Sequence, residues 1–278
     1  MPSTYAHYRL GQEVIRSLPD EIKEIIKNNK ELYNIGLHGP DILFYYKPFF
    51  PNRVNRTGFG MHDEAAGKFF EAAGKVIMNK CGEEAYLAYI YGFICHFALD
   101  SECHGYIDEK IQSSGVSHTE IEVEFDRDLL LRDGHDPISY SLTDHIIPSA
   151  KNARIIADFF PGIKGEEVKD ALTSMKKYNK ILVAPHWGKR LLIYGLLAMT
   201  GNYKEMHGLL VNYKANPKCE DSTEKLRRLY VTAVRESIRL ITAYEDSVWQ
   251  GVKLDTRYCF TFGSKDTDCV KEEALYEI

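Results

Sequence analysis

The chain has 278 residues, 44% of them hydrophobic and 27% charged, with 35 Lys and Arg against 40 Asp and Glu. That apolar content supplies a substantial core and excludes a disordered or collagen-like chain. A net charge of −5 and a pI near 6.1 argue against a broad nucleic-acid-binding surface, though not against a small metal-centred one.

The first helix runs from Tyr5 to Leu18, with apolar residues near helical spacing, and stops at Pro19. Asp20 opens a second, over Glu21 to Asn28, with Ile22, Ile25 and Ile26 on one face. Residues 36–61 are rich in Gly, Pro and aromatics and read as a long ordered loop, the kind that usually carries function. Helical periodicity resumes from Asp63 to Lys80 and from Glu83 to about Cys103. Ser117 and Glu120 form a capping-box pattern opening a helix to about Leu131. Further helices are predicted at 144–159, 165–183, 187–200 and 223–249. In the last, Leu226, Tyr230, Ala233, Ser237, Ile241, Tyr244 and Val248 trace a buried stripe. The only strand candidate is Tyr258 to Phe262. No repeat or low-complexity linker marks a boundary, so the expectation is a single compact all-α domain over residues 1–278.

The six cysteines form no CxxC pair and read mostly as reduced thiols, with a Cys259–Cys269 disulfide as the alternative. No secretory signal is visible at the N-terminus. The most apolar stretch, Ala85 to Leu99, is too short for a membrane helix and contains His96. A cytoplasmic protein is expected, or a secreted one if a signal has been trimmed.

The ten histidines carry the chemistry. His96 and Asp100 lie four apart on one helix, so both project from one face, and His104 follows after four more. His118 and Glu122 repeat the spacing on the next helix. With 40 acidic residues in the chain, chance alone supplies some such pairs. Placement says more. His96 and Asp100 fall in the apolar run AYLAYIYGFICHFALD, where an unpaired carboxylate is costly and a metal ion is one of few compensations. Imidazole and carboxylate together suit a zinc-like ion. A structural His–Asp hydrogen bond is the plainer alternative.

The ordered series His7, GPD with Asp41, His62, His96-x3-Asp100, His104 and His118-x3-Glu122 resembles the bacterial zinc-dependent phospholipases C. These share an all-helical fold and a three-metal cluster with certain zinc-dependent single-strand nucleases. The resemblance covers roughly residues 5–130. It implies one zinc held by Asp41, His62, His96 and Asp100, and a second held by His104, His118 and Glu122. A third uses the counterparts of His7 and Asp100 with the amino group and carbonyl of the mature N-terminal residue; here six residues precede His7. Two or three zinc ions per chain are implied. The aromatic residue three before the His62 counterpart contacts the lipid head group there, and Phe59 stands in that place. The Asp100–His104 interval is tighter than in the secreted phospholipases, and no separate lipid-binding β-domain follows. Residues beyond 130 are read as helical scaffold.

The implied reaction is hydrolysis of a phosphodiester by metal-activated water, with Asp41 as ligand and general base. A phospholipid head group is the first substrate, with transient membrane contact and no stable nucleic-acid partner. The alternatives are a nucleotide phosphodiesterase on the same scaffold and a non-catalytic metal-binding module. His38 could orient Asp41 as a hydrogen-bond donor, or be a loop histidine without a role. Tyr45, Tyr46, Phe49 and Phe50 are either a substrate-pocket wall, with Tyr45 the binding residue, or the core of their own loop, the favoured reading.

Overall fold

The computed structural model describes residues 4–80 and 82–267. Twelve α-helices account for most of these residues: α1 (Thr4–Ser17), α2 (Asp20–Asn28), α3 (Lys30–Gly36), α4 (Arg53–Met61), α5 (Ala66–Asn79), α6 (Glu84–Ser114), α7 (His118–Arg132), α8 (Ala150–Ala157), α9 (Gly165–Leu182), α10 (Trp187–Met199), α11 (Tyr203–Met206) and α12 (Glu220–Gln250). No strand ladder occurs among the described residues, only two isolated bridges. The fold is all-α around one continuous core that extends from Tyr5 to Phe262. No helix of the described residues is long and apolar enough to cross a membrane.

The organising element is α6. Every residue from Tyr86 to Ser101 is buried, so the helix is covered on all sides and shows little amphipathicity. It continues well past Cys103 and ends where Gly115 takes the left-handed conformation (φ 68°). α3 and α12 lie along it. The α3 contact is made backbone to backbone: a Cβ on Gly36 would meet the Tyr89 carbonyl oxygen at 2.1 Å, and one on Gly92 would meet that of Tyr33 at 2.2 Å. Any side chain at either glycine would push the helices apart. α12 buries the stripe read from its periodicity.

Three expectations are corrected. Residues 36–61 are not one loop but a 3-10 segment, Gly39–Tyr45, followed by α4. The missed helix is started by Asn52 and Asn55, each side chain accepting the other's backbone amide at 3.0 Å. The predicted helix over 144–159 is confined to α8, because Ser149 caps it through the Asn152 amide (3.0 Å) and Pro148 precedes. Tyr258 to Phe262 is not a strand: a 3-10 turn, Thr256–Cys259, leads into single bridges from Phe260 to Asp266 and from Thr261 to Ala65.

Cys95, Cys103 and Cys219 are free and buried, whereas Cys259 is disulfide-bonded. Cys259 thus departs from the reduced-thiol expectation; Cys269, its partner in the alternative reading, lies outside the described residues.

Candidate metal centre

Each ring or carboxylate of the centre is set by its own element. Helix α6 carries His96, Asp100 and His104 on successive turns, drifting about 40° per step so that the three fan across one side. The 3-10 segment brings Asp41 over the same side, and Gly39 makes that approach close. Its φ is +48°, and a Cβ there would fall 2.1 Å from His96 Cδ2. His62 caps the end of α4, its Nδ1 donating to the Gly58 carbonyl (3.0 Å) and leaving Nε2 free to coordinate. His118 is the first residue of α7, opened by Ser117 Oγ, which accepts the Glu120 amide at 3.3 Å. The capping box is one-sided, since the Glu120 carboxylate takes Asn216 Nδ2 (2.8 Å). Glu122 stands one turn further along.

His7 reaches the group through a clamp the sequence reading missed. The Asp126 carboxylate of α7 accepts the amides of Tyr5 (3.0 Å) and Ala6 (2.8 Å), two donors of the first turn of α1 that no intrahelical acceptor serves. Tyr5 Oη and Arg9 Nε both donate to Asp133 at 2.7 Å. The C-terminal segment adds a second clamp. His104 Nδ1 donates to the Phe262 carbonyl (3.0 Å), and the Phe262 ring packs beside His62 and His96. Ser264, a non-glycine residue at φ 63°, accepts the Gly105 amide (3.0 Å) and donates to the Ser101 carbonyl (2.7 Å). These partners lie far off in sequence and follow no local period.

Three groups of ligand-type atoms result: His7, His96 and Asp100; Asp41, His62 and His96; and His104, His118 and Glu122. Asp100 joins them. Its Oδ1 lies 3.1 Å from His7 Nε2 and 3.9 Å from His104 Nε2, while its Oδ2 lies 3.1 Å from His96 Nε2 and 3.9 Å from His62 Nε2. Asp41 Oδ1 is 3.2 Å from His62 Nε2, and Glu122 Oε1 is 3.1 Å from His118 Nε2 and 3.5 Å from His104 Nε2. Metal–ligand bonds of about 2.0–2.1 Å in a tetrahedron give ligand–ligand edges of about 3.3 Å. The observed spacings bracket that value.

The decisive observation is which atoms lack hydrogen bonds. Asp41 Oδ1, Asp100 Oδ2 and the Nε2 atoms of His62, His96, His104 and His118 are all buried without a hydrogen-bond partner. Such a concentration of unpartnered donors and acceptors is costly in a protein interior, and clustered divalent ions would satisfy all six. The residues therefore fit the metal.

The electrostatics agree. Burial alone would raise the Asp100 carboxyl, but His96, His104 and His7 together hold it well below the usual carboxylate range. Glu122 is likewise depressed against its burial by His118 and His104. Burial acts to lower His104, yet Asp100 and Glu122 outweigh it and push that imidazole up to about 10. His62 rises through Asp41 despite its burial, and His118 rises through Glu122. Divalent cations would compete with protons for these ring nitrogens.

Not every predicted residue joins this group. Phe59 sits at its rim, exposed and stacked on Phe44 at 4.1 Å, with Phe44 in turn 5.4 Å from the His62 ring. Tyr45 turns towards α9, where its hydroxyl accepts from Asn179 Nδ2 (3.4 Å) beside a cavity of about 40 Å³. Tyr45 and Tyr46 pack on the core, whereas Phe49 and Phe50 are exposed and are no part of a loop core. His38 does not turn onto Asp41: its Nε2 lies 2.7 Å from His145 Nε2, and only its carbonyl meets the Asp41 amide (3.1 Å).

An all-helical shell around three joined His/carboxylate groups defines a class of helical proteins able to hold clustered divalent ions. Within it, the chain belongs to the zinc-dependent phospholipase C family, whose model, described as zinc dependent phospholipase C, matches residues 6–173. The match reaches beyond residue 130, taking in Asp133, His145 and part of α9. No curated protein and no solved structure matches the chain.

Proposed function

We propose that this member of a zinc-dependent hydrolase family cleaves a phosphodiester, with a phospholipid head group as first substrate. The observation that carries the proposal is the division of the Asp100 carboxylate between His7 on one oxygen and His96 on the other, inside a ring of unpartnered buried ligand atoms. Asp41, His62, His96 and Asp100 would hold one ion, His104, His118 and Glu122 a second, and His7 with Asp100 would serve a third. Bound zinc would offset the diester's negative charge and bring the pKa of a coordinated water towards 7.

The chain's own residues do the rest. Asp41, at the edge nearest His62, orients the attacking water and accepts its proton. Water adds to phosphorus, the bond to the alcohol oxygen breaks, and the proton taken up by Asp41 is passed through water to the leaving alcohol. His62 and His118 retain more exposure than the other ligands, which leaves the substrate an approach between them. Phe59, on that rim, offers an aromatic face to a cationic head group.

The test is a substrate panel run on zinc-loaded protein: phosphatidylcholine, p-nitrophenylphosphocholine, bis-p-nitrophenyl phosphate and a dinucleotide. The proposal expects turnover of the choline esters, abolished in Asp41→Asn while bound zinc is unchanged. Turnover of the dinucleotide alone would move the assignment to a nucleotide phosphodiesterase. Inactivity on all four with full zinc would leave a metal-binding module.

A further inference from the structure

We propose that α10 is a membrane-docking helix that lays its outer face on the surface of a bilayer containing anionic lipid. Surface helices normally turn a polar face to water. Here one side of α10 is held down by Ile193, in a small satellite core with Ala184 and Leu210, and by Arg190, whose Nε donates to the Ala184 carbonyl (2.8 Å). The opposite side is apolar as well. Trp187, Leu191, Leu192, Leu196 and Met199 are all exposed, Trp187 at 73% and Met199 at 86%. A contiguous apolar face of this kind marks an interaction surface. At 13 residues the helix is about 20 Å long, too short to span a bilayer and suited to lying within its interface, with Trp187 at head-group level.

Charge selects the occupant. The chain is acidic overall, yet between residues 176 and 218 it carries eight Lys or Arg and a single acid, Glu205. Lys177, Lys180, Lys204 and Lys214 of this stretch are exposed. An apolar helix face flanked in sequence by exposed lysines complements anionic lipid, whereas two copies meeting across it would bring like charges together.

The helix is also tied to the mouth of the metal centre. The turn that follows α11 packs Gly208 on the first turn of α7, where a Cβ would lie 2.8 Å from the Glu120 amide nitrogen, two residues beyond His118. On its other flank, exposed Phe49 meets Tyr178 of α9 edge to face at 5.7 Å, and α9 leads into α10. The phospholipid reading above supplies the reason for docking; the docking itself stands on α10.

Flotation with vesicles of phosphatidylcholine, with and without phosphatidylglycerol, tests this in the full chain, alongside Trp187 fluorescence in a Trp249→Phe background. Binding should depend on phosphatidylglycerol, blue-shift Trp187 and allow its quenching by brominated lipid. Leu192→Glu should weaken binding roughly ten- to hundred-fold, the loss of one buried leucine, and leave p-nitrophenylphosphocholine hydrolysis and far-UV circular dichroism unchanged. Trp187→Ala provides a milder second variant. A monomer that stays with the soluble fraction overturns the proposal. So does a dimer that Leu192→Glu dissociates, which would assign the face to a second copy. Vesicle binding without turnover of any diester would leave docking intact and remove the hydrolase reading.

Discussion

His7 Nε2 lies 3.1 Å from Asp100 Oδ1 although the two residues sit on different helices and are joined by no local pattern. The contact exists because Asp126 seizes the first turn of α1 and sets it against α6. His7 is thus as well placed as the clamp that holds it, and residues outside the candidate ligand set decide whether its members can act together.

Removing the clamp should therefore show first at His7. Asp126→Ala leaves two buried amides without an acceptor, a loss of about 2–4 kcal/mol. Urea denaturation should report that loss, and the bound-metal count should fall by one ion or less. Burial holds the Asp126 carboxyl well above its usual range against the pull of both amides. An amide there keeps one acceptor oxygen but turns an Nδ2 donor onto the second backbone amide, so Asp126→Asn should recover no more than about half of that loss.

Gly39 leaves no room for a side chain. Gly39→Ala combines a left-handed backbone with a clash on the His96 ring, which should cost about 1–3 kcal/mol or more. Zinc titration should show weaker binding at the group built on His96, while the His104, His118 and Glu122 group keeps its affinity.

The His38–His145 pair predicts a pH dependence. Burial, aided by nearby Lys176, lowers His145 to about 3, and His38 is lowered too. Both rings stay neutral in the folded chain while the unfolded chain takes up protons below about 6.5. The sign follows: stability falls as pH drops from about 6.5 towards 3, by up to about 1.4 kcal/mol per pH unit for each ring. Urea midpoints across this range should decline less steeply in His145→Gln than in the wild type, and parallel curves would contradict the assignment.

The bond from Ser264 into α6 offers a smaller test. Ser264→Ala removes the hydroxyl between Gly105 and Ser101 and keeps the unfavourable φ, so about 1 kcal/mol should be lost. Ser264→Gly gives up the same bond but relieves the backbone. Thermal melts should rank glycine above alanine.

The fold was legible wherever a period or a cap announces a helix, and the candidate pairs His96–Asp100 and His118–Glu122 were legible because four-residue spacing places them on one face. His7, Asp41 and His62 follow no local period and entered as candidates only through the resemblance to the zinc-dependent phospholipases C. What stayed hidden was tertiary. Asp126, Phe262 and Ser264 act across more than a hundred residues and leave no periodic trace. α4 was masked by its Gly and aromatic content, its start resting on an Asn52–Asn55 exchange that is easily read as a turn. His38 lies three residues from Asp41 in sequence, but the 3-10 geometry turns its ring towards His145 instead.

The central claim is that these histidines and carboxylates hold clustered zinc. Elemental mass spectrometry of protein purified without an affinity tag or chelator tests it most directly. The account predicts two or three zinc ions per chain, in keeping with the three ligand groups, and fewer in His96→Ala and His118→Ala. Less than about half an ion of any metal, with no uptake on adding zinc, would contradict it and leave His96–Asp100 and His118–Glu122 as helix-face contacts without a cation.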